Sequence, residues 1–148
     1  MADSLAPFDR SAGENPYDIQ HALQDMMQDK VGIVRTESDM SAALDGIARL
    51  RARAAGAGVR GHREYNPGWH TALDLRNLLT VSEAVARCAL DRKDSLVPPF
   101  TQDFPSRDDG HSKHNTVVSR ANDGAMRLRR EPIAPMPQEL QDIIKEMA

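Results

Sequence analysis

The chain has 148 residues and a mass of 16.4 kDa, enough for one domain with a core of its own. Its 40% hydrophobic and 28% charged residues exclude a disordered chain, and no apolar run approaches the ~20 residues of a bilayer span. A net charge of −3 excludes a general attraction to nucleic acid, and a lone cysteine, Cys88, excludes an internal disulfide and fits a reducing compartment.

The first residues, Met1 to Arg10, carry neither the basic nor the apolar segment of a secretion signal, so a cytoplasmic location without direct membrane insertion is expected. Residues 1–45 hold nine acids against three bases, so the head of the chain is acidic and the body mildly basic. Residues 1–14 read as a polar lead-in. Asn15-Pro16 then has the form of a helix start, with Asn as cap and Pro at the first helical position. Ile19, Leu23, Met26 and Met27 follow at helical spacing to Val31, and Gly32 ends the run.

Thr36-Glu37-Ser38-Asp39 resembles a capping box with Asp in place of Glu. Met40, Ala43, Leu44, Ile47, Leu50 and Ala54 line one stripe of a second helix, which Gly56 and Gly58 terminate. Val59–Gly68 lacks periodicity and reads as a loop long enough to carry a role. A third helix is expected from about Trp69 to Lys93, with Ala72, Leu75, Leu78, Leu79, Ser82, Val85, Ala86 and Ala89 on its buried stripe. Three amphipathic helices joined by loops imply an antiparallel three-helix bundle over residues 15–94.

Residues 95–148 read as an extended tail. Pro98, Pro99 and Pro105 forbid a continuous helix or a central strand. Alternating residues 116–119 and 125–128 around Asn122-Asp123-Gly124 predict a small β-hairpin near 116–129. Gln138–Met147 predicts a short terminal helix with Leu140, Ile143, Ile144 and Met147 on one face. The fold class is therefore mainly α: a three-helix bundle followed by an extended tail with a hairpin.

Motifs of catalysis are sparse. Gly56-Ala57-Gly58-Val59-Arg60-Gly61 matches G-x-G-x-x-G, but the glycines follow a helix and none opens after them, so a nucleotide site is not expected. His111 and His114 lack a third ligand at suitable spacing, and no metal is expected. Cys88 sits among small apolar residues with no base beside it in sequence, and reads as a core residue. Arg120, Arg127, Arg129 and Arg130 make the hairpin basic, without the interleaved aromatics of a nucleic-acid surface.

Gly61–His70 gathers two of the five His, the only Trp and one of the two Tyr. Two readings stand side by side: Tyr65 and Trp69 cap the end of the bundle, or they meet a partner, since interfaces favour Tyr, Trp and Arg.

Glu14-Asn15-Pro16-Tyr17, the run Gln24–Arg35 and the run Tyr65-Asn66-Pro67-Gly68-Trp69-His70 continuing to Leu79 resemble one region. It is the C-terminal helical domain of the flavoprotein subunit of succinate dehydrogenase/fumarate reductase, which L-aspartate oxidases share more loosely. The resemblance runs from about Ala6 to the C-terminus. It implies a three-helix bundle with an extended tail, carried by a subunit that uses FAD to interconvert succinate and fumarate and passes electrons through an iron–sulfur subunit. The FAD-binding portion and the catalytic residues of that family lie upstream, so no catalytic, cofactor-binding or metal residue is expected in this chain.

Partners implied by the resemblance are the iron–sulfur subunit and the FAD-binding portion, with Tyr65, Trp69, His70, Arg76 and Asn77 as the expected contact surface. Such a complex would place the chain peripherally at the inner face of the cell membrane. One departure stands out. Where the family reads Ser-Arg-Gly-Ala-His-x-Arg-x-Asp, this chain reads Ser95-Leu96-Val97-Pro98-Pro99-Phe100-Thr101-Gln102-Asp103. That change fits an alternative, an independent helical adaptor that has lost the redox role. A small enzyme using His62, His70 or Cys88 is a third and weaker reading.

Overall fold

Caps set the helix starts. The side chain of Asn15 accepts from the Tyr17 amide at 3.1 Å, opening helix α2 (Pro16–Val31). Thr36 accepts from the Asp39 amide at 3.0 Å and its hydroxyl donates to the Asp39 carboxylate at 2.7 Å, opening α3 (Glu37–Ala55). Asn66 accepts from the Trp69 amide at 3.1 Å and opens α4 (Pro67–Asp91). Each cap satisfies an amide that the first helical turn leaves without an internal partner.

The computed structural model describes residues 2–10, 12–95, 100–106, 108 and 110–147, which form two compact units, Met1–Asp108 and Asp109–Ala148. In the first unit α2, α3 and α4 each pack on the other two. Ile19 and Leu23 of α2, Met40, Ala43, Ile47 and Leu50 of α3, and Leu75, Leu79, Ala86 and Ala89 of α4 form its core. These follow the stripes that the 3.6-residue period picks out, except that Val85, expected on the buried stripe of α4, is exposed; each large side chain fully buried contributes about 1.5–3 kcal/mol. The mainly α class and the three-helix bundle are as the sequence reads.

Two segments differ from the sequence reading. The lead-in contains a helix, α1 (Ala2–Asp9), which packs on α4 despite Pro7 within it. The helix α4 begins two residues before Trp69, because Asn66-Pro67 repeats the cap-and-proline start of Asn15-Pro16.

Beyond α4 the chain returns to the bundle. Strand β2 (Phe100–Thr101) pairs in parallel with β1 (Val34–Arg35), through Phe100 N–H to the Ile33 carbonyl and Gln102 N–H to the Arg35 carbonyl. Ser95 Oγ accepts from the Thr101 amide at 2.9 Å and donates to the Phe104 carbonyl at 2.8 Å. Asp103 accepts from the Glu37 amide at 2.5 Å, at the N-terminus of α3. Of the altered stretch 96–102, residues 96–99 lie outside the described residues.

The second unit holds an antiparallel hairpin and a helix. Strand β3 (His114–Arg120) pairs with β4 (Met126–Pro132), two to four residues longer at the outer ends than the alternation suggests. Gly124 at φ +84° supplies the left-handed position that a three-residue hairpin loop requires. Helix α5 (Gln138–Glu146) follows, and Leu140, Ile143, Ile144 and Met147 are exposed.

Candidate partner-contact surface

The loop between α3 and α4 is held by backbone close approach. Ala57 bridges Glu14, the Gly58 amide donates to the Glu14 carbonyl at 3.0 Å, and the Val59 amide donates to the Pro7 carbonyl at 2.9 Å. A Cβ on Gly58 would lie 1.6 Å from the Arg10 carbonyl oxygen, so only glycine fits there. This occupies the G-x-G-x-x-G stretch with the chain's own backbone.

Asn66 Nδ2 donates to the carbonyls of Arg60 and His62, closing the loop over the start of α4. At its tip Tyr65 is 99% exposed and has a φ of +51°. A non-glycine residue in that region carries backbone strain, and this one recovers none of it through packing. Trp69 is half-buried. Its ring lies 5.4 Å from that of Phe8 and 5.7 Å from that of His70, and its Nε1 donates to the Ser4 carbonyl at 2.6 Å. The Arg63 guanidinium stands over the Phe8 ring at 5.8 Å.

His70, Arg76 and Asn77 are exposed on α4, away from buried Leu75 and Leu79. At 100° per residue, Trp69, Leu73, Arg76 and Asn77 share one side of the helix, with His70 flanking. Of the five expected contact residues, Tyr65 therefore lies in the loop before α4, and the other four lie along the N-terminal half of that helix. Trp69 also serves the fold, by clasping α1.

The other sequence candidates are dispersed. His111 and His114 stack with ring centroids 6.2 Å apart, and Arg130 Nη2 lies 3.5 Å from His111 Nε2. Among the described residues no three His, Cys, Asp or Glu side chains gather as a metal site. Cys88 is half-buried on α4. Burial, and secondarily the Asp91 charge, push its thiol up, away from nucleophilic character. His62 and His70 are both exposed.

Sequence reasoning missed three buried polar side chains, Arg35, Asp94 and Thr101. Arg35 and Thr101 meet through a strand pairing that joins segments distant in sequence. Acids on the bundle surface are ion-paired, among them Glu14 with Arg53, and Glu83 with Arg51 and Arg87.

This geometry defines a class, a mainly α module built on a three-helix bundle, with a second unit that holds a β-hairpin and a short helix. Residues 20–143 match the family described as fumarate reductase flavoprotein C-term, and the chain belongs to that family. It is 33% identical over 122 residues to the fumarate reductase flavoprotein subunit of Mycobacterium tuberculosis, covering 82% of this chain and 21% of that protein. It is 33% identical over 116 residues to the L-aspartate oxidase of Yersinia pestis, covering 72% of this chain and 20% of that one.

Among solved structures, it superposes on Mycobacterium smegmatis Sdh1 in complex with UQ1 with a TM-score of 0.85 at 37% identity, over 96% of this chain and 24% of that one. The chain thus spans about a fifth of the length of the curated relatives it matches. The family identification made from the Asn-Pro and Trp69 motifs agrees with these matches.

Proposed function

We propose that the chain acts as the C-terminal structural domain of a succinate dehydrogenase/fumarate reductase flavoprotein. It steadies the FAD-binding portion and contacts the iron–sulfur subunit during succinate/fumarate electron transfer. The observation that carries this reading is the family match over residues 20–143, in a chain that spans about a fifth of the length of its relatives. FAD and the catalytic residues belong to the remainder of the flavoprotein. The chain's own contribution is shape and docking.

Tyr65, Trp69, His70, Arg76 and Asn77 form the contact surface. Support comes from Tyr65, whose exposed ring on a strained backbone favours a residue kept for a partner rather than for packing. Among the described residues no helix is long and apolar enough to cross a membrane, so a place at the inner face of the cell membrane would come through the complex.

The test is capture of the protein from its source cells, with mass spectrometry of the co-purified chains and a flavin absorbance scan. Recovery with an iron–sulfur subunit and a flavin-bearing portion supports the reading. Recovery without either overturns it. The altered stretch Leu96–Gln102 favours a second reading, an independent helical adaptor, which that outcome would select.

A further inference from the structure

Arg35 closes β1 and is 9% exposed. Its Nε is shut off from solvent and has no hydrogen-bond partner. Among the described residues no carboxylate pairs with its guanidinium. The charge that acts on it is of the same sign, Arg92 at the end of α4. Arg92 is itself matched, through Nε to Asp94 Oδ1 at 2.5 Å and Nη2 to Oδ2 at 3.2 Å, with the Asp94 side chain wholly buried.

Among the described residues, the Asp94 carboxylate serves Arg92, and none is paired with Arg35. A buried, unpaired cation is among the costliest arrangements in a protein interior. Both arginines line an open groove of about 380 Å³, with Ala84, Val85, Cys88 and Ala89 of α4 as its other walls. Burial keeps the Cys88 thiol protonated, so it supplies no counter-charge.

We propose that this groove binds a carboxylate, held by Arg35 and Arg92 with its carbon chain against Val85 and Ala89. A planar two-oxygen head matches the guanidinium fork. Apolar walls strengthen the pairing and disfavour the more strongly hydrated sulfate or phosphate. A small free acid and a Glu or Asp side chain of an adjoining polypeptide present the same group.

The experiment follows the arginine Nε–Hε resonances of the 15N-labelled 148-residue chain during titration with sodium acetate, against sodium chloride at equal ionic strength. The expected result is a saturating shift at Arg35 and Arg92 with acetate alone, weakened about tenfold or more in Arg35→Met. Binding of acetyl-Leu-Glu-Leu-amide about tenfold tighter than acetate assigns the site to a polypeptide side chain. Equal binding assigns it to a small acid. No saturating acetate shift, or sulfate binding as strong as acetate, overturns the proposal. Without acetate, Arg35→Met is expected to melt at or above the parent temperature. A variant that melts lower or fails to fold shows a guanidinium already satisfied, and overturns the proposal as well.

Discussion

The indole Nε1 of Trp69 donates to the Ser4 carbonyl at 2.6 Å, a bond spanning 65 positions that clasps the first turn of α4 to α1. The Phe8 ring completes the clasp. Trp69→Ala is expected to lower stability by about 2–4 kcal/mol, since a half-buried aromatic and a hydrogen bond are both lost. Trp69→Phe keeps the ring contact and loses the bond, for about 1 kcal/mol. Denaturant melts of the two variants separate these contributions. Equal losses would show that the bond dominates.

Tyr65→Asn is expected to behave in the opposite sense. Asn accepts a positive φ more readily than Tyr, and the exposed ring has no packing to lose. Stability should hold or rise by up to about 1 kcal/mol, while capture of the flavoprotein partners weakens. A destabilised variant with intact capture would remove Tyr65 from the contact surface.

Gly58→Ala should cost about 1–3 kcal/mol, because the added Cβ meets the Arg10 carbonyl oxygen and the strap of residues 57–59 must move. Gly56→Ala is the matched control. Its Cβ would meet nothing nearer than the Arg53 carbonyl oxygen at 3.5 Å, an ordinary contact, and the change should stay within about 0.5 kcal/mol. Thermal melts of the pair check both values together.

The hydrogen bond from Arg53, aided by its charge and opposed by partial burial, holds Glu14 below the usual carboxylate range. A carboxyl more acidic in the folded than in the unfolded state adds stability above its unfolded pKa, and that stability is lost as pH falls through the folded pKa. The melting-temperature gap between the parent and Glu14→Gln should therefore be constant above about pH 5 and close at lower pH. Added salt should narrow it at neutral pH, because the pair is largely exposed. A gap independent of pH would remove the ion pair as its cause.

What the sequence made legible was what repeats locally. Asn15 and Thr36 are caps readable from three or four residues, and the apolar stripes of α2, α3 and α4 follow from their period. The Asn66-Pro67 start has the same form, but it lies in the aperiodic stretch Val59–Gly68, which reads as a loop. Helix α1 carries a proline and is stabilised from outside, by Trp69, so its own residues do not announce it. Arg35 and Thr101 lay beyond reach for a deeper reason. Their burial depends on two-residue strands that pair across the bundle, and no local pattern encodes that meeting. Of the candidate surface, the loop is legible from its concentration of aromatics, whereas the clasp that Trp69 makes requires the fold.

The same pairing of β1 with β2 bears on the order in which the molecule assembles. The amides of Phe100 and Gln102 find their acceptors, the Ile33 and Arg35 carbonyls, only after α3 and α4 have folded back and brought distant segments together. This ladder is therefore a late event, a latch thrown when the bundle is already closed. In hydrogen–deuterium exchange those two amides would act as sentinels: their release times any opening wide enough to part the strands, while the helices behind them keep their own protection.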